Sequence, residues 1–207
     1  MNQTRYDQQR LAAIRAAASV FAEHGFHGAS TTMIADRMGI KQGSLYYYFK
    51  SKEDALSEVC LYGLSDYADH MSAIIENGQP FAAQLLATVT SHLSSYREKN
   101  EALKVYNDER LYLPEEKRAP LKEIGSRYRQ QLEQMIQTAV DKREVSKRID
   151  CHFAAQSVIG LCNAFGELIV RDHDLDLFDL IHKCTNLLLH GLTPVQSQGL
   201  DGFSVEP

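Results

Sequence analysis

Apolar side chains recur every three or four positions along nearly the whole chain, which is the spacing of a helix that buries one face. The first such stripe contains Leu11, Ile14, Ala18 and Phe21. Gly25 follows it and is placed to end the helix, because glycine readily adopts the left-handed backbone of a helix C-cap. The sequence shows no internal repeat and no strand-like alternation. The pattern therefore predicts an all-α fold of about nine helices.

Capping residues and helix breakers divide the rest of the chain. Ser51 is expected to cap a long helix that residues 77–80 (Asn-Gly-Gln-Pro) interrupt. Pro120 is well placed as the first residue of a later helix, and Asp150 and Asp176 are expected to cap the last two helices. The apolar stripes assigned between these points are Val59 to Ile74, Phe81 to Tyr96, Leu103 to Tyr112, and Leu121 to Ala139.

The distribution of charge adds a functional hint to this pattern. The chain of 207 residues carries a net charge of −5, with 44% hydrophobic and 24% charged residues, which is the composition of a globular protein. Residues 1–54 contain seven Lys and Arg against five Asp and Glu, whereas the remainder contains fifteen against twenty-two. A mildly basic first quarter on an acidic body fits a nucleic-acid-binding head whose body has another task.

Several classes of protein are not favoured by the sequence. No apolar run approaches the roughly 18 to 20 residues of a transmembrane helix, and the N-terminus lacks the apolar core of a signal peptide. The four cysteines form no C-x-x-C pair, so reduced core thiols are expected: Cys60, Cys151, Cys162 and Cys184. A soluble cytosolic protein is the resulting expectation.

The segment 31–49 has the features of a helix-turn-helix. Two helices that cross through a tight turn need a small residue at their closest approach and a glycine in the turn, which Ala35 and Gly39 supply. Ile34, Ile40 and Leu45 can then pin both helices to the preceding one. All of these requirements are met together, so we predict a DNA-binding motif.

The second helix of this motif, about residues 42–48, would lie in the DNA major groove. Gln42 can pair with an adenine edge, and Lys41 with a guanine edge or a phosphate. Three consecutive tyrosines, Tyr46 to Tyr48, follow. Because consecutive residues on a helix point in different directions, at most one or two of them can be buried in the core. Thr31 and Thr32 are expected to cap the first helix. The predicted DNA contacts are Thr31, Thr32, Lys41, Gln42, Gly43, Ser44, Tyr46, Tyr47, Tyr48 and Lys52.

Residues 8–56 resemble the DNA-binding head of the TetR family of bacterial transcriptional regulators. The resemblance is carried by Ala17 to Phe26, by Thr32 to Ile40, and above all by the unbroken Gly-Ser-Leu-Tyr-Tyr-Tyr-Phe-x-Ser-Lys-Glu of Gly43 to Glu53. Tyr48 occupies a position that is often histidine in the family. The remaining predicted DNA contacts, apart from Thr31, match positions that contact DNA in relatives.

This resemblance implies an architecture and a mechanism. A helix-turn-helix domain is expected at residues 1–51, an effector-binding and dimerisation domain at 52–191, and a frayed tail at 192–207. A homodimer built through the last two helices would bind a pseudo-palindromic double-stranded operator, as a repressor rather than an activator. A small molecule bound among the middle helices would release the DNA.

The middle helices are rich in tyrosine, whose rings and hydroxyls suit a pocket for an amphiphile. Asn163 lies in the most apolar helix, where its amide must bond another helix or a ligand. Residues 107–114 resemble a segment of family members that sense acyl-CoA thioesters, so Arg110 is either a ligand contact or part of a surface salt bridge. The predicted effector-binding residues are Tyr62, Tyr67, Tyr96, Tyr106, Arg110, Tyr128 and Asn163.

Two apolar stripes near the end of the chain predict the dimer contact, with Gly160 and Ala164 permitting close approach of helices. The alternative is burial of these stripes within one subunit. The first stripe is Val158, Leu161, Phe165 and Leu168, and the second is Leu177, Ile181, Cys184 and Leu188.

No metal site, cofactor or enzymatic activity is predicted. The acidic run 172–176 lacks the glycine and terminal glutamate of a calcium loop, and the histidine and cysteine spacings do not form a zinc site. No P-loop, dinucleotide or nucleophile-elbow motif is present. An alternative function is a DNA-binding regulator controlled by a protein partner or by oxidation of Cys60 or Cys162.

Overall fold

The computed structural model describes residues 5–172 and 174–191. Within this part of the chain there are ten α-helices, a 3-10 turn at Arg110–Tyr112 and no strand, so the predicted all-α fold is confirmed. The predicted frayed tail lies outside the described residues. The helices are α1 (Arg5–Gly28), α2 (Thr31–Met38), α3 (Gln42–Leu45), α4 (Lys52–Leu64), α5 (Tyr67–Glu76), α6 (Phe81–Glu98), α7 (Asn100–Glu109), α8 (Glu115–Asp141), α9 (Cys151–Arg171) and α10 (Leu177–His190).

The long helix predicted after Ser51 is divided in two. Asp66 has a φ of 72°, in the left-handed region, and this residue separates α4 from α5. The carboxylate of Asp66 lies 2.8 Å from Lys99 Nζ, which anchors the break to the start of α7. When α4 and α5 are counted as one interrupted helix, the described chain has the predicted nine.

Pro120 does not begin a helix, contrary to prediction. The helix α8 starts at Glu115, directly after Pro114, and Pro120 lies inside its second turn. A proline this close to the start removes a backbone hydrogen bond only near the helix end, where the surrounding chain is exposed. Pro114 is therefore the residue that marks the start of α8.

Three predicted N-caps are confirmed by hydrogen bonds. Ser51 Oγ accepts from the backbone N–H of Asp54 at 3.1 Å, and the carboxylates of Asp150 and Asp176 accept from the residues three positions later at 2.9 and 3.1 Å. Each cap satisfies an amide that has no partner inside its helix. The helices that they open begin within one residue of the predicted positions.

Two buried clusters form the core, and their border does not coincide with the end of the helix-turn-helix. The first cluster contains α1–α3, but also Leu56 and Val59 of α4 and Val105 of α7. The second lies among α5, α6, α8, α9 and α10. Thus α4 and α7 connect the head to the body. The division at residues 51 and 52 remains a prediction.

One described helix, Cys151–Arg171, is long and apolar enough to cross a membrane, with a mean hydropathy of 1.5 over its best window. The prediction that no segment approaches this length and composition was therefore wrong. The same helix packs on one side against α6 and α8, so its apolar character serves at least in part to fill the core.

Gly39 is the turn residue whose conformation we expect to matter most for the head. It has φ 67° and ψ 30°, and its N–H bonds the carbonyls that end α2. Gly39→Ala should lower the free energy of unfolding by about 1–2 kcal/mol, the cost of a Cβ in left-handed backbone. Urea unfolding measures this change. Gly43→Ala, with no atom near its added Cβ and no positive φ, is the control and should not destabilise; equal losses in both variants would contradict the argument.

Candidate DNA-binding surface and effector pocket

The helix-turn-helix forms as predicted in its turn and at the start of its second helix, but it differs at the start of the first helix and at the end of the second. Ser30, not Thr31 or Thr32, caps α2, because its hydroxyl accepts from Met33 N at 3.2 Å. The regular part of the second helix is only Gln42–Leu45, and residues 46–48 continue as turns. Tertiary packing decides this length, since Leu45 and Phe49 are both fully buried.

Seven of the ten predicted DNA contacts are exposed on this motif, and Thr31 is half-buried. Lys41, Gln42, Gly43 and Ser44 are exposed, and Tyr47 is the most open aromatic side chain of the head at 75%. Gln42 Nε2 donates to Thr31 Oγ1 at 3.2 Å, which joins the starts of α2 and α3. The other exposed members are Thr32 and Tyr46.

The remaining two predicted contacts, Tyr48 and Lys52, are half-buried and bound to other parts of the protein. Tyr48 is half-buried, and its hydroxyl lies 3.5 Å from Gln9 Oε1 of α1. Lys52 Nζ donates to the carbonyls of Phe26 and Ala29 at 2.8 and 3.0 Å and lies over the Phe26 ring. Lys52 therefore holds the connection between α1 and α2 against the start of α4.

A partly open cavity of about 110 Å³ lies among α6, α7, α8 and α9, with Leu64 of α4 and Tyr67 of α5 also in its wall. We call it the chamber. Five of the seven predicted effector-binding residues line it, which brings together side chains from residue 67 to residue 163. Its lining residues are Leu64, Tyr67, His92, Tyr96, Leu103, Tyr106, Asn107, Ile124, Gly125, Tyr128, Ile159 and Asn163.

The other two predicted effector-binding residues do not line the chamber. Tyr62 lies in a separate cleft, where Lys99 Nζ is 5.3 Å from its ring centroid. Arg110 bonds the carbonyls of Tyr106 and Asn107 at 3.1 and 2.5 Å, so it caps the end of α7. These bonds take the place of the predicted surface salt bridge, while the predicted ligand contact of Arg110 stays a prediction.

His92, which the sequence analysis did not single out, occupies the centre of the chamber's polar wall. Asn163 Oδ1 can only accept, so the His92 Nε2 atom 3.0 Å away must carry the hydrogen. The Nδ1 atom is then free to accept from the Tyr128 hydroxyl at 3.2 Å. The Tyr96 hydroxyl also donates to Asn163 Oδ1, at 3.2 Å. Thus Asn163 bonds another helix, one of the two roles considered for it.

Burial keeps this histidine neutral. Loss of solvent lowers the pKa of His92 to about 4, although its bond with Asn163 opposes the shift. Burial also raises the pKa of Tyr67, Tyr96 and Tyr128 above the ordinary tyrosine value. All four side chains are therefore uncharged at pH 7. The signal that could have revealed His92 was a polar residue beside the apolar stripe of α6, where a partner is needed.

Gly166 sets the position of Tyr96. A Cβ added at Gly166 would lie 2.4–2.5 Å from three carbons of the Tyr96 ring, closer than any atoms can pack. The ring consequently rests directly on the backbone of α9, and it stacks on His92 on another side. A glycine in this helix permits the contact between α6 and α9 that closes the chamber.

The predicted dimer seam is largely buried inside the subunit. Val158, Ile181 and Cys184 belong to the body core, so for these the alternative of burial within one chain is correct. Leu161, Phe165, Leu177 and Leu188 pack partly against that core. Of the eight predicted residues, only Leu168 is exposed, at 43%. The apolar stripes fill the space against α6 because that contact completes the core.

A different side of α9 faces outward. Phe153 (71% exposed), Gly160, Ala164 and Leu168 recur along it at helical spacing, and we call them the open face. The neighbouring helix α10 exposes Phe178 at 72%. The open face combines large apolar ends with a small centre, a shape that allows another helix to approach closely.

The helix α7 connects the chamber to the DNA-binding head. On one side, Tyr106 and Asn107 line the chamber. On the other, Lys104 Nζ donates to the carbonyl of Ala22 at 2.6 Å, and Glu109 Oε2 accepts from the N–H of Phe26 at 3.1 Å. Because of these two bonds, a displacement of α7 would move the C-terminal end of α1.

The described residues contain no group of three potential metal ligands. All four cysteines are free, and burial raises the pKa of both Cys60 and Cys162 to about 12. A thiol with so high a pKa is rarely the reactive thiolate at neutral pH.

An exposed helix-turn-helix joined to a helical body with an internal chamber defines a DNA-binding regulatory protein. Residues 13–59 match the family model described as bacterial regulatory proteins of the tetR family. Residues 78–192, more than half of the chain, match the model of the tetracycline repressor-like C-terminal domain. The chain belongs to the TetR family of transcriptional regulators, whose members bind DNA and are not enzymes.

Two relatives show how far the likeness extends. The chain is 30% identical to the transcriptional repressor KstR2 of Rhodococcus jostii over 139 residues, which cover 67% of this chain and 68% of the relative. It is 25% identical to the fatty acid metabolism regulator protein of Bacillus subtilis over 180 residues, 86% of this chain and 93% of the relative.

Solved structures agree over nearly their whole length. The TetR-family regulator PfmR of Thermus thermophilus shares the fold with a TM-score of 0.80 at 21% identity, covering 87% of this chain and 98% of that one. The regulator FadR of Bacillus subtilis, solved in complex with stearoyl-CoA, has a TM-score of 0.75 at 25% identity and covers 88% and 99%.

Proposed function

We propose that this regulator is a cytoplasmic repressor that binds a pseudo-palindromic operator as a homodimer and is released by an apolar, acyl-CoA-like effector. The observation that carries the proposal is the position of α7, which lines the chamber with Tyr106 and Asn107 and contacts the head through Lys104 and Glu109. The similarity to regulators of fatty acid metabolism favours this class of effector.

The operator contacts come from the exposed surface of the helix-turn-helix. In this proposal Gln42 and Lys41 meet base edges or phosphates, while Lys52 acts through the connection between α1 and α2 that it holds. Hydroxyls and the backbone at Gly43 position the head on the phosphates. The hydroxyl contacts are Thr31, Thr32, Ser44, Tyr46, Tyr47 and Tyr48.

Dimerisation through the open face would supply the second half-site. Gly160 and Ala164 lie at its centre, where small residues let helix backbones approach closely. Phe153 and Leu168 would add apolar burial on either side, which is the main driving force for association. A two-fold dimer then presents two heads to the two half-sites of a pseudo-palindrome.

Effector release can be tested on an operator selected by the purified protein from random double-stranded DNA. We expect a long-chain acyl-CoA to dissociate that complex in fluorescence anisotropy. In Glu109→Gln, the loss of the charge-assisted bond to Phe26 N–H should leave effector binding intact but reduce the effector-induced change in operator affinity, which is typically 5- to 150-fold in allosteric proteins, to less than about threefold.

Glu123→Gln removes the same charge from an exposed site on α8 and is the matched control, expected to respond like the unmodified protein. If Glu109→Gln also responds normally, the contact with Phe26 is not the route of release. If none of the acyl-CoAs, fatty acids, aromatic acids or cationic dyes dissociates the operator complex, the proposed control by a small molecule is wrong.

A further inference from the structure

The chamber is lined without a single formal charge. None of its twelve lining residues is Lys, Arg, Asp or Glu. The polar groups that it presents are tyrosine hydroxyls, two side-chain amides and one imidazole. An ion placed in such a cavity loses its water and gains no counter-charge, which is strongly unfavourable.

The one basic group in the lining does not supply that counter-charge. His92 uses both ring nitrogens within the protein, accepting from Tyr128 and donating to Asn163. If Nδ1 were protonated, it could no longer accept the hydrogen bond that the Tyr128 hydroxyl donates. Protonation would also place a positive charge on a side chain that is only 4% exposed. The imidazole therefore remains a neutral hydrogen-bonding group.

Charged residues begin immediately outside the chamber. An adjoining cleft shares Tyr96 and Asn107 with it and is lined in addition by Lys104, Asp108 and the pair Glu167 and Arg171. Tyr96 and Asn107 therefore lie at the boundary between the uncharged chamber and the charged cleft. A ligand that spans both spaces must place its uncharged part inside and its ionic part outside.

We infer that the chamber selects ligands in which the part held inside it carries an uncharged carbonyl, as in an ester, thioester or amide. A ligand that would place a free carboxylate there is rejected. His92 and Asn163 are the specificity-determining pair. The inference rests on the proposed role of the chamber as the effector site. The Asn163 amide nitrogen takes no part in the bonds that join His92, Tyr96 and Asn163, so it can donate to a carbonyl oxygen.

The test compares three ligands with the same acyl chain: the free acid, its methyl ester and its CoA thioester. Dissociation constants are measured by isothermal titration calorimetry at pH 7.5. We expect the acid to bind at least tenfold more weakly than the methyl ester. Equal affinities for the acid and the ester would overturn the inference while leaving the chamber as the effector site. Failure of all three to bind would overturn the proposed function and this inference together.

A charge-installing variant gives an independent result. Asn163 is exposed on one side, so Asn163→Lys can place an ammonium at the chamber wall without burying it completely. The ratio of acid to ester affinity should then rise at least tenfold in favour of the acid. Gln130→Lys adds the same charge at an exposed site on α8 outside the lining and should leave the ratio unchanged. The same ratio in both variants would refute the assignment of Asn163.

Discussion

Replacing Ala164 by arginine should convert the protein to a monomer and weaken operator binding about 100-fold or more. Ala164 lies on the open face, next to Gly160, where the proposed dimer needs small side chains. An arginine there would keep the two helices apart and bury a charge without a partner. A monomer binds one half-site alone and loses the gain from linked binding, which is typically 10²- to 10⁴-fold.

Sedimentation velocity and operator titration measure these two effects separately. Ala82→Arg adds the same side chain at an exposed site on α6, and this control should remain dimeric with unchanged affinity. An Ala164→Arg protein that still sediments as a dimer would show that the open face is not the contact. A monomer with full operator affinity would instead contradict the two-half-site model.

Short-range sequence signals correctly predicted the starts of three helices and the position of one turn. Ser51, Asp150 and Asp176 cap their helices as expected because a cap involves only residues three positions apart. Gly39 has the positive φ that the turn requires. The error at Pro120 arose from the same kind of signal, because proline favours the first turn of a helix, whereas Pro120 lies in the second turn of α8 and Pro114 precedes its first residue.

The chamber could be predicted only in part. Its tyrosines were found by composition, because rings with hydroxyls are common in binding pockets. His92 was missed because its two partners, Tyr128 and Asn163, lie 36 and 71 positions away. The closeness of Gly166 and Tyr96 depends in the same way on how α6 and α9 pack. The spacing of residues along a single helix cannot predict such contacts between different helices.

The same limitation explains the error about the dimer seam. Helical periodicity identifies an apolar stripe but not which neighbour covers it. In this chain α6 packs against both stripes, the one on α9 that includes Val158 and the one on α10 that includes Ile181. What is left for a second subunit is the outward side of α9, which holds Gly160 and Ala164, the two positions predicted to permit close approach of helices. That role for them remains a prediction.

Replacing Tyr47 by alanine should weaken operator binding about 10- to 100-fold while leaving the fold intact. Its ring is 75% exposed and is bordered by Tyr6 and Tyr48 at edge-on angles, so the fold gains little from it. Most surface substitutions of this kind change stability by less than about 0.5 kcal/mol. On DNA, the loss of ring and hydroxyl together should cost about 1–3 kcal/mol, as for a specific contact.

Two further variants divide this effect by its physical cause. Tyr47→Phe keeps the ring and removes the hydroxyl, so a loss shared with Tyr47→Ala assigns the contact to the hydroxyl. Lys41→Ala should act differently, because removing one phosphate-bound cation reduces the slope of log affinity against log salt by about 1. Tyr47→Ala should leave that slope unchanged, since a neutral hydroxyl displaces no counterion. Undiminished operator affinity in Tyr47→Ala would show that the exposed tyrosines lie outside the DNA contact surface.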